Sequence, residues 1–103
     1  MVALLEQNRE ALTKLCRQYG VERLEVFGSA ARGVDFDSEV SDFDFIVRFN
    51  PHPTLTRFEQ YFGLEAALEA LLGRKVDLVM EGALKNPYFI QNVSASRELL
   101  YAA

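Results

Sequence analysis

Two long segments of the chain repeat apolar residues every three or four positions, which is the spacing of an amphipathic helix. The first covers residues 3–19, and Gly20 provides a natural helix stop after it. The second covers residues 55–72 and ends at Gly73, and its wide apolar arc includes three aromatic side chains between positions 58 and 62. Such an arc either packs on a sheet or offers a surface to a protein partner, and packing is the commoner outcome.

Shorter segments alternate apolar and polar residues, which is the pattern of half-buried strands. These predicted strands cover residues 22–27, 42–48 and 75–80. Asn86 followed by Pro87 matches a helix N-cap and first position, so a last helix is predicted from residue 87 to about 100. Helices that alternate with strands in this order predict an α/β (α+β) fold, in which helices flank a small mixed β-sheet. The pattern does not fix the order of the strands.

Composition narrows the class of protein. The chain has 103 residues, half of them hydrophobic, which favours a single domain over residues 1–103. Its net charge of -4, from 15 acidic and 11 basic residues, argues against an extended nucleic-acid surface. The single cysteine, Cys16, excludes an intrachain disulfide and is expected to be a small core or flanking residue on a helix. No run approaches the ~20 apolar residues of a membrane span, so we expect a cytoplasmic protein.

A turn of small residues follows the first predicted strand. Gly28 allows the backbone to approach a phosphate closely, and Ser29 offers a hydroxyl and an amide where a short helical turn is predicted to begin. Arg32 either pairs with a phosphate or holds the acidic loop that follows, and Gly33 lets that loop turn. The segment is therefore a candidate nucleotide-binding site, although a Gly-Ser pair by itself is an ordinary turn.

Three aspartates lie within predicted strands, where aspartate is uncommon. Asp42 and Asp44 are two positions apart, so their side chains point to the same face about 7 Å apart, and Asp77 lies in the next predicted strand. Burying such acids without a cation is costly, and magnesium prefers oxygen ligands of this kind. We therefore expect the three aspartates to hold magnesium, with two ions ~4 Å apart that serve nucleotidyl transfer. Asp77 could also take the proton of an acceptor hydroxyl, unless the metal alone suffices.

The turn and the aspartates together form one motif, which reads Gly28-Ser29-x-Ala31-Arg32-Gly33, Ser41-Asp42-x-Asp44 and then Asp77. This motif resembles that of the minimal nucleotidyltransferase (MNT) proteins of the polymerase-beta-like nucleotidyltransferase superfamily. The resemblance implies a nucleotidyltransferase fold, magnesium as cofactor and ATP as substrate. It implies catalytic and metal-binding roles for the three aspartates. It implies nucleotide binding by Gly28, Ser29, Arg32 and Gly33.

The same resemblance implies a HEPN-domain toxin as the partner in a toxin–antitoxin pair. Some MNT proteins transfer AMP from ATP to a tyrosine of that toxin and so silence it. The chain leaves no room for the acceptor-binding domains of larger relatives, which favours a protein acceptor that brings its own surface. Two alternatives stay open: a nucleotide-binding module that neutralises its partner by contact alone, and transfer to a small molecule such as an aminoglycoside.

Overall fold

The computed structural model describes residues 3–27, 43–81 and 97–103 of the chain. Its elements in chain order are α1 (Ala3–Gln7), α2 (Arg9–Gln18), β1 (Val21–Phe27), β2 (Phe43–Phe49), α3 (Arg57–Leu72), β3 (Val76–Met80) and β4 (Glu98–Ala102). All three predicted strands are present, with their ends shifted by at most one residue. The first predicted helix is interrupted at Asn8, whose side-chain amide donates to the Leu4 carbonyl oxygen at 2.8 Å. Such side-chain bonding competes with regular helical bonding and accounts for the break.

The prediction of a last helix is wrong at its C-terminal end. Residues 98–100 lie in β4, and the predicted segment 87–96 lies outside the described residues. β4 pairs antiparallel with β1, and Leu100 is only 7% exposed. Pairing with β1 and the burial of Leu100 therefore outweigh the local helical propensity of residues 98–100, which form a strand.

Within the described residues, the four strands form one mixed sheet in the order β3-β2-β1-β4. β1 pairs antiparallel with β2 and with β4, whereas β2 pairs parallel with β3. The connection between the two parallel strands runs through α3, because parallel strands need a crossover that returns the chain to the same end of the sheet. The predicted small mixed sheet is confirmed, and the structure supplies the strand order.

One face of the sheet packs against the helices and forms the core. In β2 the alternate residues Phe43, Phe45, Val47 and Phe49 are all buried against the helices. Cys16 lies fully buried in this core, as predicted, and burial raises the pKa of its thiol to about 12. The other helical side chains of the core are Leu5, Leu12, Leu64, Leu68 and Leu72. None of the helices in the described part of the chain has the length and hydropathy of a transmembrane segment.

Helix α3 begins and ends at specific local signals. The Thr56 hydroxyl accepts a hydrogen bond from the Glu59 amide at 3.1 Å, and the Glu59 carboxylate accepts one from the Thr56 amide at 3.1 Å. This reciprocal capping box satisfies two amides that a helix N-terminus otherwise leaves unpaired. Gly73 follows the helix at φ +66°, a conformation that glycine adopts without steric cost.

The wide apolar arc of α3 divides into two surfaces. Leu64, Leu68 and Leu72 are buried in the core, whereas Phe58 and Phe62 are 68% and 49% exposed. Packing on the sheet is therefore confirmed for the leucines. The two phenylalanines form a separate apolar surface that faces outward near the start of the helix.

Candidate active site

The candidate acids in the described residues lie on the face of the sheet opposite the core. Because side chains alternate along a strand, residues paired in register across the strands point to the same face. The first row across the sheet is Phe27, Asp44 and Asp77. The second row is Glu25, Ile46 and Val79. Asp44 and Asp77 therefore lie in the outermost paired row that the structure describes on this face, at the end of β1 and the beginnings of β2 and β3.

Asp44 and Asp77 are direct neighbours in the parallel register of β2 and β3. Neighbouring strands lie about 4.8 Å apart, so two ionised carboxylates on the same face repel each other unless a cation lies near both. Asp44 is half-buried and Asp77 is exposed, so the expectation of buried acids is wrong for Asp77. Its exposure follows from the position of β3 at the edge of the sheet.

Both aspartates line one cavity of about 430 Å³. Its walls are formed by Phe27, Asp44, Tyr61, Glu65, Asp77, Leu78 and Val79. Three of these side chains are carboxylic acids, which favours a cation or a cationic group in the cavity. Carboxylate oxygens are also the ligands that magnesium prefers, so the donor set fits this metal.

Tyr61 and Glu65 are site residues that the sequence pattern does not reveal. They lie one helical turn apart on α3, beside the edge strand, and the Tyr61 hydroxyl donates to the Leu78 carbonyl oxygen. Burial raises the pKa of Tyr61, and the negative charges of Glu65 and Asp77 raise it further. The i, i+4 spacing of the two side chains was visible in the sequence, but their position depends on how α3 crosses β3.

A buried ion pair lies in the next row of the same face. The Glu25 carboxylate is 7% exposed and accepts hydrogen bonds from Nε of Arg97, at 2.9 Å, and from its Nη2. Arg23 contacts the same carboxylate at 3.0 Å, and Arg97 also reaches Glu81 at 3.2 Å. Burial by itself raises the pKa of Glu25. The hydrogen bonds and positive charges of Arg97 and Arg23 more than offset this effect, so the net pKa of Glu25 is lowered. The Arg97 side chain therefore spans the sheet from β1 to the residue that follows β3.

Five of the predicted site residues lie outside the described residues, namely Gly28, Ser29, Arg32, Gly33 and Asp42. The described residues bring together the other two, Asp44 and Asp77. Within residues 3–27, 43–81 and 97–103, no group of three His, Cys, Asp or Glu side chains is arranged to hold a metal ion. The catalytic, metal-binding and nucleotide-binding roles of all seven residues stay predictions.

The described part of the chain combines a mixed sheet, helices on one of its faces and two neighbouring aspartates on the other. A family model described as the nucleotidyltransferase domain matches residues 8–100 of this chain. The chain belongs to this family, and its nucleotidyltransferase fold is confirmed.

Similar proteins agree with this assignment. The protein adenylyltransferase MntA of Thermococcus cleftensis is 43% identical over 86 residues, which cover 80% of this chain and 82% of that protein. A solved structure described as a minimal nucleotidyltransferase is 38% identical, has a TM-score of 0.70, and is matched over 91% of this chain and 90% of its own. A complex of a tri-AMPylated Shewanella oneidensis HEPN toxin with MNT antitoxin contains a chain that is 22% identical to this one, with a TM-score of 0.64. The match covers 96% of this chain and 73% of that chain. At this level of identity the likeness shows a shared fold only.

Proposed function

We propose that the chain is a magnesium-dependent nucleotidyltransferase that transfers AMP from ATP to a tyrosine hydroxyl of a HEPN-domain toxin. It thereby acts as the antitoxin of a toxin–antitoxin pair. The observation that carries the proposal is the pairing of Asp44 with Asp77 in one acidic cavity, within a chain of the nucleotidyltransferase family. The adenylyltransferase name of the Thermococcus relative supports AMP as the transferred group, and the Shewanella complex supports the class of partner.

In this reaction the phenolic oxygen of the acceptor tyrosine bonds to the α-phosphorus of ATP. The bond between the α- and β-phosphates breaks, and pyrophosphate leaves. Asp42, Asp44 and Asp77 are the proposed metal ligands; when bound, magnesium supplies positive charge to the phosphates and to the acceptor oxygen. Asp77 is also the proposed acceptor of the phenolic proton. The proposed nucleotide contacts are Gly28, Ser29, Arg32 and Gly33.

A specific feature of the site favours a protein acceptor over a small molecule. Asp77 lies at the sheet edge and is exposed, and Tyr61 and Glu65 of α3 line the same cavity. As far as the described residues show, an acceptor can therefore approach along the sheet edge without entering an enclosed pocket. Small-molecule acceptors such as aminoglycosides usually require enclosing walls that bury most of the ligand surface.

The decisive experiment measures the intact mass of the HEPN-domain partner before and after incubation with this chain, ATP and magnesium. We expect a mass gain of one or more AMP units, which EDTA prevents and added magnesium restores. The variant Asp44→Asn should lose at least about a hundredfold in transfer rate, because one of the paired carboxylates no longer carries charge. Glu98→Gln is the matched control, since it neutralises an exposed acid on β4 outside the cavity.

The alternative is a module that neutralises the toxin by contact alone, and the same variants separate the two functions. If Asp42→Asn/Asp44→Asn binds the toxin as tightly as the native chain but no longer silences it, neutralisation requires transfer. If that variant silences the toxin fully and the toxin mass never changes, contact is sufficient and the proposed transfer is refuted.

A further inference from the structure

A groove lies along the outer edge of the sheet, beside the cavity that Asp44, Glu65 and Asp77 line, which we call the carboxylate cavity. Its floor consists of Leu78, Val79 and Met80 of β3, and its wall consists of the first turns of α3, from Arg57 to Phe62. We call this feature the edge groove. Its volume is about 440 Å³, similar to that of the carboxylate cavity.

The edge groove is lined by exposed apolar side chains. Phe58 is 68% exposed, Phe62 is 49% exposed and Met80 is 36% exposed. The rings of Phe58 and Phe62 lie 4.6 Å apart, and the ring of Tyr61 meets that of Phe62 edge-on at 5.0 Å. A contiguous cluster of exposed aromatic and methionine side chains is typical of protein interaction surfaces rather than of an ordinary solvated face.

The edge groove is continuous with the carboxylate cavity at one end. Tyr61, Leu78 and Val79 line both of them, so this end of the groove adjoins the cavity that Asp77 lines. At its other end, Arg57 is exposed and stacks over the ring of Phe49, with 5.3 Å from its guanidinium carbon to the ring centroid. Arg48 and Glu81 line the same end of the sheet edge as Arg57. Along the edge of β3 the surface therefore changes from acidic, through apolar, to an end where two guanidinium groups outnumber one carboxylate.

We propose that the edge groove docks the segment of the acceptor protein that carries the modified tyrosine. This inference rests on the proposed function, and it adds the surface that selects the acceptor. The fitting segment has apolar side chains next to its tyrosine and an acidic side chain beyond them. The tyrosine then reaches the carboxylate cavity, the apolar side chains contact Phe58 and Phe62, and the acidic side chain pairs with Arg57.

The test uses the double variant Phe58→Gln/Phe62→Gln. Both positions are exposed and glutamine suits a helix, so the fold should be retained, which a thermal unfolding curve checks. The matched control is Leu99→Gln, which removes a side chain of similar exposure (44%) from β4 at the opposite edge of the sheet. Two quantities are measured for each variant: the Kd for the HEPN-domain partner without ATP, and the kcat and KM for AMP transfer to it.

We expect the double variant to weaken partner binding at least about tenfold, as loss of central aromatic anchors does in other interfaces. The KM for the partner should rise by a similar factor, whereas the affinity for ATP stays unchanged. Arg57→Glu should weaken binding most at low salt, because the lost attraction is electrostatic. Leu99→Gln should match the native chain in every measurement.

The outcomes separate this inference from the proposed function. If the native chain transfers AMP and the double variant binds and transfers equally well, the edge groove is not the docking surface, whereas the proposed function stands. If the native chain binds the partner without transferring AMP and the double variant loses binding, the docking surface stands and the proposed transfer fails. If the native chain forms a dimer that the double variant abolishes, with partner binding unchanged, a second copy occupies the groove and the inference is overturned.

Discussion

The substitution Arg97→Met tests how the sheet beneath the candidate site is held together. It removes the side chain that makes a two-point contact with Glu25 and a further contact with Glu81. Methionine keeps a similar apolar length, so the change removes charge and hydrogen bonds with little loss of packing volume. The Glu25 carboxylate, 7% exposed, then keeps only its contact with Arg23 among those that the structure assigns to it.

The expected loss in the free energy of unfolding follows from how deeply Glu25 and Arg97 are buried. Breaking one side of a fully buried ion pair typically costs about 3–5 kcal/mol, because a desolvated charge is left behind. The Arg97 side chain is 21% exposed and Arg23 still reaches the carboxylate, so the cost should fall at or below the lower limit of this range. We expect a loss of about 2–3 kcal/mol in the free energy of unfolding, which corresponds to a urea midpoint lower by about 1–2 M.

Two matched variants show whether the loss of stability in Arg97→Met comes from the burial of the ion pair. Arg23→Met removes a guanidinium from the same carboxylate, but that side chain is 49% exposed, so its ion pair should contribute at most about 1 kcal/mol. Glu25→Leu/Arg97→Met replaces both members of the buried pair by apolar groups and removes the stranded charge. It should therefore recover most of the stability lost in Arg97→Met alone.

The effect of Arg97→Met should also depend on pH. The pKa of Glu25 is lowered in the folded chain. The ionised carboxylate therefore contributes fully to the free energy of unfolding above its unfolded-state pKa of about 4.3, and this contribution is lost as the pH falls through its folded-state pKa. The stability difference between the native chain and Arg97→Met should therefore shrink from pH 7 to pH 3. Urea unfolding at both pH values measures it. An equal difference at the two pH values, or an Arg23→Met cost as large as that of Arg97→Met, would refute the reasoning.

Three further predictions concern the helices. Thr56→Ala removes the hydroxyl that accepts from the Glu59 amide, which is one of the two bonds of the capping box, and should cost about 1 kcal/mol in urea unfolding, whereas Thr56→Ser should cost little. Gly63→Ala should destabilise by about 1–3 kcal/mol despite the better helix propensity of alanine, since a Cβ atom there would lie 2.5 Å from a ring carbon of Tyr19; an unchanged melting temperature would contradict this. Cys16 should resist iodoacetamide at pH 8 until urea unfolds the chain, because it is buried and its pKa is about 12; rapid alkylation without urea would show that the core opens.

The fold was predictable where local pattern and tertiary packing agree. The alternation in β2 predicts its buried phenylalanines directly, because the same period of two places Phe43 and Phe45 against the helices. β4 was not predictable in this way. It has five residues, and its single deeply buried side chain, Leu100, is buried because β4 pairs with β1, more than 70 residues earlier in the chain. Such long-range pairing leaves no periodic signal in so short a strand.

The candidate site shows the same division. Asp44 and Asp77 were recognisable as a pair because each interrupts an apolar strand. Tyr61 and Glu65 were not, because tyrosine and glutamate are ordinary residues on a helix and only the crossing of α3 over β3 brings them to the cavity. The ion pair of Glu25 with Arg97 joins residues 72 positions apart, and neither residue type is unusual in its local sequence.

The register between β2 and β3 links the core to the candidate chemistry. The register that sets Phe45 beside Leu78 in the core also sets Asp44 beside Asp77 on the opposite face. A slip of one residue would turn the phenylalanines of β2 toward the opposite face of the sheet and would also separate the two carboxylates. Apolar burial, worth about 25 cal/mol per Å², therefore decides which two carboxylates lie side by side. The side chains that fix the register lie on the face opposite Asp44 and Asp77, so one pairing of strands sets both the core and the geometry of the candidate site.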